Sequence, residues 1–179
     1  MVHQIEEIGL SNGQTAVIRS ANTQDVPAMH ALLEYYASKG NLLPRSTADL
    51  YHHLRDFYLV EIDGQVVATA GLEIFTADLG EIRSLVVDPN FQRHKLGNQL
   101  CLRLINEAQA IGLSRLMALT YVPQFFHHLG FKTVEIATLP EKVMNVCRVC
   151  YKFNRCDEIA VILSLNSGAE TNTGTATSA

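Results

Sequence analysis

Gln92-Arg93-His94-Lys95-Leu96-Gly97-Asn98 is the stretch whose residue types and order carry the clearest chemistry. It follows the apolar run Leu85-Val86-Val87 by way of Asp88-Pro89-Asn90-Phe91, and it leads into a helical pattern. A buried strand, a tight polar loop and a helix start together present backbone N–H groups to an anion. The first helical turn leaves donors unpaired and carries the positive end of the helix dipole. Arg93, His94 and Lys95 bring positive charge in front of that turn, and Gly97 allows close backbone approach. The combination suits a pyrophosphate; the plainer reading of the same composition is a solvated surface loop.

The elements that must hold such a loop can be read on either side of it. Thr15–Ser20 reads as a first strand, and Asn22 or Thr23 can cap a helix with the apolar face Val26, Met29, Leu32, Leu33 and Tyr36. Pro27 falls in its first turn, where no N–H bond is lost. A second helix is expected from Ser46 to about Arg55, capped by Ser46 or Thr47. Residues 57–62, the turn Asp63-Gly64 and residues 65–74 form a hairpin, Asp-Gly being a strong turn signal. Residues 81–87 read as a central strand, and Leu100, Leu102, Leu104, Ile105 and Ala108 give the helix after the loop a face to lay on a sheet. Residues 113–119 read as a strand, followed by a short helix within 122–131 that Gly130 ends and Phe131 leaves.

With 179 residues, 47% apolar, the chain is long enough to bury one core, and a net charge of −4 gives no basic excess to recommend nucleic acid. No apolar run reaches the roughly 18 residues a membrane helix needs, and residues 1–7 lack the basic and apolar regions of a signal peptide. The expectation is a cytoplasmic protein with no nucleic-acid or membrane partner. Residues 1–163 are expected to form one domain, and 164–179, with almost nothing to bury, a disordered tail.

Residues 92–98 resemble the acetyl-coenzyme A loop of the GNAT N-acetyltransferase superfamily, usually Gln/Arg-x-x-Gly-x-Gly/Ala, with Lys95 standing where the first glycine is usual. The strand 81–87 before it and the block Val122-Pro-Gln-Phe-Phe-His-His-Leu-Gly-Phe131 after it resemble two further signatures in the same order. The resemblance implies an α/β (α+β) GNAT fold, with a mixed central sheet flanked by helices, and an acetyl-CoA-dependent enzyme. Leu43-Pro-Arg-Ser46, Ala118-Leu-Thr-Tyr121, Leu139-Pro-Glu-Lys142 and the cysteine block 147–158 narrow it to the short bacterial N-acetylglutamate synthase branch, over residues 15 to 163. That branch implies acetyl transfer to the α-amine of L-glutamate, the first step of arginine biosynthesis. Two alternatives stay open: another amino acid, amine or protein N-terminus as acceptor, and a silent acetyl-CoA-binding or thiol- or metal-sensing module. A homodimer is left open as well.

The resemblance also assigns residues. Leu85, Val86, Val87, Gln92, Arg93, His94, Lys95, Leu96, Gly97 and Asn98 are expected to hold acetyl-CoA, with backbone N–H near 85–87 facing the developing oxyanion. Arg45 and Arg155, and less so Lys142, are expected near the acceptor's carboxylates, which a guanidinium fork fits better than an ammonium. Glu73 or Glu81, on strands that would flank a split in the sheet, is the expected base. The tyrosine that often protonates the departing thiolate is replaced by Phe126, which leaves Tyr121 as the nearest phenol. Cys147-x2-Cys150-x5-Cys156 raises zinc or a redox pair; zinc is not favoured, because a fourth ligand would have to come from Cys101, His127 or His128.

Overall fold

Two-residue alternation of apolar side chains organises the chain into strands, and the sheet they form carries everything else. The computed structural model describes residues 5–10, 13–139 and 156–165. Eight strands are described: β1 (Glu6–Gly9), β2 (Thr15–Ser20), β3 (Phe57–Ile62), β4 (Gln65–Ile74), β5 (Leu79–Val87), β6 (Arg115–Thr120), β7 (Lys132–Val134) and β8 (Ile159–Ser164). They lie in one sheet in the order β1-β2-β3-β4-β5-β6-β8-β7, antiparallel except for the β5–β6 pair. The β3–β4 hairpin turns on Asp63 and Gly64, both at positive φ (50° and 79°), as the expected two-residue turn requires.

Four helices cover the two faces: α1 (Val26–Ser38), α2 (Thr47–His52), α3 (Leu96–Ala110) and α4 (Pro123–His127). Leu96, Leu100, Leu104 and Ala108 of α3 pack on the face formed by Val60, Ala68, Leu72 and Ile82. Val26, Met29 and Leu33 of α1 and Leu50 of α2 pack on the opposite face, against Phe57, Leu59 and Val86. No helix among the described residues is long and apolar enough to cross a membrane.

Several expectations are corrected in detail. The cap of α1 is Asp25, not Asn22 or Thr23, and its carboxylate makes no capping bond. It is taken instead by Arg19, at 2.7 and 2.8 Å, and by the Asn22 N–H, while the Asn22 side chain accepts from the Gln24 N–H. α2 is shorter than expected: it ends at His52, and a 3-10 turn, Leu54–Asp56, follows. Ser46 caps it as expected, accepting from the Asp49 N–H at 3.1 Å. β1 was not foreseen; it is an edge strand paired with β2 alone. The ordered fold also runs past residue 163, since β8 reaches Ser164 and the Leu165 N–H donates to Ser114 O at 2.7 Å.

Candidate active site

The parallel pair β5–β6 is hydrogen-bonded through Leu79–Arg115, Gly80–Leu116 and Glu81–Met117. β5 continues to Val87 and β6 to Thr120, so the two strands part after Glu81, and from Ile82 onward β5 turns a backbone edge to the gap. On its other side β5 pairs Arg83 with Gly71 and Val86 with Thr69, which sets Ser84 and Leu85 against Ala70 alone. This bulge holds Ser84 at φ 55°, a costly conformation for a side chain other than glycine. Bulges re-aim the backbone, and here the backbone that turns is that of 84–86, close to the donors expected at 85–87.

The loop after Val87 is fixed from two sides. The Asp88 side chain accepts from the Asn90 N–H at 2.8 Å and opens a 3-10 segment, Pro89–His94. The Tyr36 hydroxyl on α1 donates to Val87 O at 2.5 Å and accepts from Gln92 Nε2 at 2.8 Å. Burial pushes the Tyr36 phenol up from its ordinary pKa, so it stays a donor at any physiological pH. Lys95 then takes the left-handed conformation, φ 58° and ψ 20°, and α3 starts at Leu96 with no side chain capping its N-terminus. The turn that glycine usually makes in this motif is therefore made by lysine. The N–H groups at the head of this 15-residue helix have no side-chain cap, and Lys95 stands beside them, an arrangement that favours negative charge.

Three of the loop residues have defined surroundings. Gln92 is spent on Tyr36, so it positions the loop. Leu96 is fully buried in the core, leaving its backbone alone to face a ligand. Gly97 is helical and buried, and a Cβ there would lie 3.5 Å from the Phe125 ring and 3.6 Å from Val87 Cγ2, ordinary contact distances, so packing by itself does not demand glycine at this position. Leu85 and Val87 pack against the α3 side and Val86 against the α1 side. His94 stacks near Phe91, at 6.4 Å between centroids, and Asn98 is half-buried. The side chain of Arg93 lies outside the described part of the structure.

A second cluster sits on the α1–α2 face of the sheet. Glu81 is 3% exposed, and it stands at the last paired position before β5 and β6 part. Glu73 is its cross-strand partner on β4, and Arg83 is two residues further along β5, so all three side chains share one face. Glu73 is ion-paired with Arg83 Nη1. Arg45, just ahead of α2, is ion-paired with Asp49, and its guanidinium carbon lies 5.9 Å from the centre of the Phe57 ring. Phe57 in turn lies against Gly71, the residue opposite Arg83, so its ring floors the space between the two arginines. Asp56 stands 3.6 Å from Arg83 Nη2 and 3.1 Å from His53 Nδ1.

Glu73 is ion-paired with Arg83, and Glu81 is buried at the last paired position before β5 and β6 part. Tyr121 follows directly on β6, and its hydroxyl donates to Asp157 at 3.0 Å. Phe126 is in the core, stacked edge-on with Phe125 and Phe131. Arg155, Lys142, Cys147 and Cys150 lie outside the described residues. Cys101 faces the core of α3, and burial pushes its thiol up to about 12, so it is unsuited to be a fourth zinc ligand. His127 is bonded to Thr133 and His128 to Gln124 O.

Sequence reasoning missed Arg83, Ser84 and Tyr36. Arg83 left a signal: two charged residues at alternate positions, 81 and 83, in an otherwise apolar central strand must face something polar. Ser84 left none, because a left-handed residue inside a strand has no local sequence signature unless it is glycine.

A sheet parted between parallel strands, a bulge at the parting and a bare helix N-terminus beyond it define an acyl-CoA-binding transferase. The profile of the Acetyltransferase (GNAT) family matches residues 22–131, and the chain belongs to that family. It is an acetyl-CoA-dependent acyltransferase. An N-acetyltransferase of Chlorobaculum tepidum is 33% identical over 152 residues, 83% of this chain and 96% of its own length. The amino-acid acetyltransferase of Mycobacterium tuberculosis is 35% identical over 136 residues, 74% of this chain and 78% of its own. The N-acetylglutamate synthase of Neisseria gonorrhoeae, solved with coenzyme A and N-acetyl-glutamate, superimposes with a TM-score of 0.77 at 33% identity, over 84% of this chain. The present chain spans 35% of the length of that Neisseria protein.

Proposed function

We propose that the protein acetylates the α-amine of a free amino acid, L-glutamate, and so supplies N-acetylglutamate to arginine biosynthesis. The observation that carries the reading is the pairing of buried Glu81 at the strand gap with two arginines on the same face, Arg45 and Arg83. An acceptor that enters as an ammonium and brings carboxylates suits those charges. The Neisseria gonorrhoeae relative with N-acetyl-glutamate bound supports glutamate in particular.

Acetyl-CoA lies along the free edge of β5, its pyrophosphate at the N-terminus of α3 beside Lys95 and its thioester carbonyl toward the N–H groups of the bulge. Glu81 accepts the proton of the acceptor's ammonium, directly or through water. The neutral amine attacks the carbonyl carbon, and the tetrahedral oxyanion is stabilised by the backbone donors near Leu85–Val87. The attacking nitrogen gives up its second proton to water, collapse breaks the C–S bond to leave the amide, and the thiolate departs as CoA, taking a proton from Tyr121 or water. Thiolate is a good enough leaving group that the missing tyrosine at 126 is no obstacle. Arg45 and, from the block outside the described residues, Arg155 hold carboxylate.

The test is CoA release by the purified protein with acetyl-CoA and L-glutamate, run beside L-glutamine, L-aspartate and a polyamine, and repeated for Arg45→Ala and Arg155→Ala. Turnover with glutamate that falls sharply in both variants supports the reading. Turnover confined to an amine without carboxylates keeps the family and overturns the acceptor; acetyl-CoA binding without turnover on any amine supports a silent module.

A further inference from the structure

Of the two arginines on the Glu81 face, Arg83 is the one whose hydrogen-bonding edge is least used within the protein. The Arg83 side chain is 13% exposed, and its Nη1 is committed to Glu73. Its Nε and Nη2 are buried with no hydrogen-bond partner among the described residues. Asp56, at 3.6 Å from Nη2, is beyond hydrogen-bond range. Buried donors are nearly always matched, and the planar guanidinium edge fixes the shape of what can match these two. Nε–H and Nη2–H point the same way from one planar edge, the fork that takes both oxygens of a single carboxylate. Burial and the neighbouring Arg45 charge pull the Arg83 pKa below its ordinary value, against Glu73, Glu81 and Asp56, as expected of a cation short of partners.

We propose that Arg83 receives the α-carboxylate of the acceptor side-on through Nε and Nη2, with Glu81, two residues earlier on the same strand face, receiving the α-ammonium. The assignment rests on the reading of the protein as an amino-acid N-acetyltransferase. Alternate residues of a strand stand about 6.7 Å apart, a spacing that long side chains converging on one ligand bridge readily. In an α-amino acid the two opposite charges sit on one carbon, so one strand reads both. The cluster has more carboxylates than guanidinium groups: Asp49, Asp56, Glu73 and Glu81 face Arg45 and Arg83. Its overall field therefore does not select an anion, and recognition of a carboxylate falls to the directed edge of Arg83. Arg45, further out ahead of α2, is left for the distal carboxylate. The ligand class is a free α-amino acid, and a peptide N-terminus or a polyamine, lacking an α-carboxylate, leaves the Arg83 edge bare.

The experiment compares kcat and KM of the full chain for L-glutamate, glutamate α-amide and 4-aminobutyrate, which is glutamate without its α-carboxylate. Wild type and Arg83→Lys and Arg83→Gln variants are measured alike, with acetyl-CoA affinity as the check of folding. In the wild type, glutamate should exceed the other two by about a hundredfold in kcat/KM, the scale of losing charge-assisted hydrogen bonds. Both substitutions should remove most of that factor, chiefly through KM, so that the loss on glutamate is far larger than any loss on the amide or on 4-aminobutyrate. Arg83→Lys keeps a charge beside Glu73 but cannot make the fork, so it decides the matter if Arg83→Gln does not fold. An equal loss on all three acceptors, or a folded variant that keeps the preference, overturns the Arg83 assignment and leaves the proposed function standing. Turnover by the wild type on no α-amino acid overturns both.

Discussion

Gly80→Ala tests whether the sheet around the strand gap is packed as tightly as the mechanism requires. A Cβ on Gly80 would lie 2.7 Å from Leu113 Cδ1, 3.1 Å from Leu72 Cδ1 and 3.2 Å from the backbone oxygen of Glu73. The first two contacts could be eased by turning a leucine, but both leucines are buried, and the third is backbone. β5 cannot step aside either, because Gly80 is paired with Ile74 on one side and Leu116 on the other. Overpacking of this kind costs about 1–3 kcal/mol. Gly80 has no left-handed φ, so alanine fits the backbone and returns about 0.4–1 kcal/mol by restricting the unfolded chain. The net expectation is a loss of about 1–2 kcal/mol. With a urea slope of about 2 kcal/mol per M, the unfolding midpoint falls by about 0.5–1 M. Glu81 is the next residue, so kcat should fall as well, even where the protein is still folded. An unchanged midpoint in urea would refute the reasoning, since it would mean that Leu113, Leu72 and the β4 backbone yield without cost.

Glu81→Gln should lower kcat by about 10²–10⁴-fold while leaving acetyl-CoA affinity unchanged, as measured by single-turnover CoA release and calorimetry; Glu73→Gln should cost less. Lys95→Gly relieves a left-handed residue worth about 1–2 kcal/mol but loosens the unfolded chain by about 0.5–1 kcal/mol, so stability should change by no more than about 1 kcal/mol, while coenzyme A affinity falls with the lost charge and its salt dependence weakens. The Asp25 carboxyl is pulled below its ordinary range by the Arg19 guanidinium and the Asn22 N–H, which outweigh an opposing push from burial. A depressed carboxyl contributes stability that is fully present above its unfolded pKa of about 3.9 and is lost as pH falls through the folded value. The gap in unfolding free energy between wild type and Asp25→Asn should therefore be constant near neutral pH and shrink below about pH 4; a gap independent of pH there would show that the ion pair contributes nothing.

The sequence alone determined the order of strands and helices from β2 to β7, the Asp63-Gly64 hairpin, the Ser46 cap and the loop that enters α3, because each depends on periodicity or on residues adjacent in the chain. Glu81 and Arg45 were candidates through the family resemblance, which placed the one on a strand flanking the split in the sheet and the other at the turn before the second helix. The α1 cap was misread because Arg19, six residues away, claims the Asp25 carboxylate, and a cap is lost when a distant cation competes for it. What only the tertiary structure decided is where β5 leaves β6, the bulge at Ser84 that lets it do so, and the convergence of Arg83 with Glu73, Glu81 and Arg45. Those features are fixed by pairing between strands far apart in the chain, and whether a guanidinium ends paired, or bare and buried, depends on which side chains that pairing sets around it.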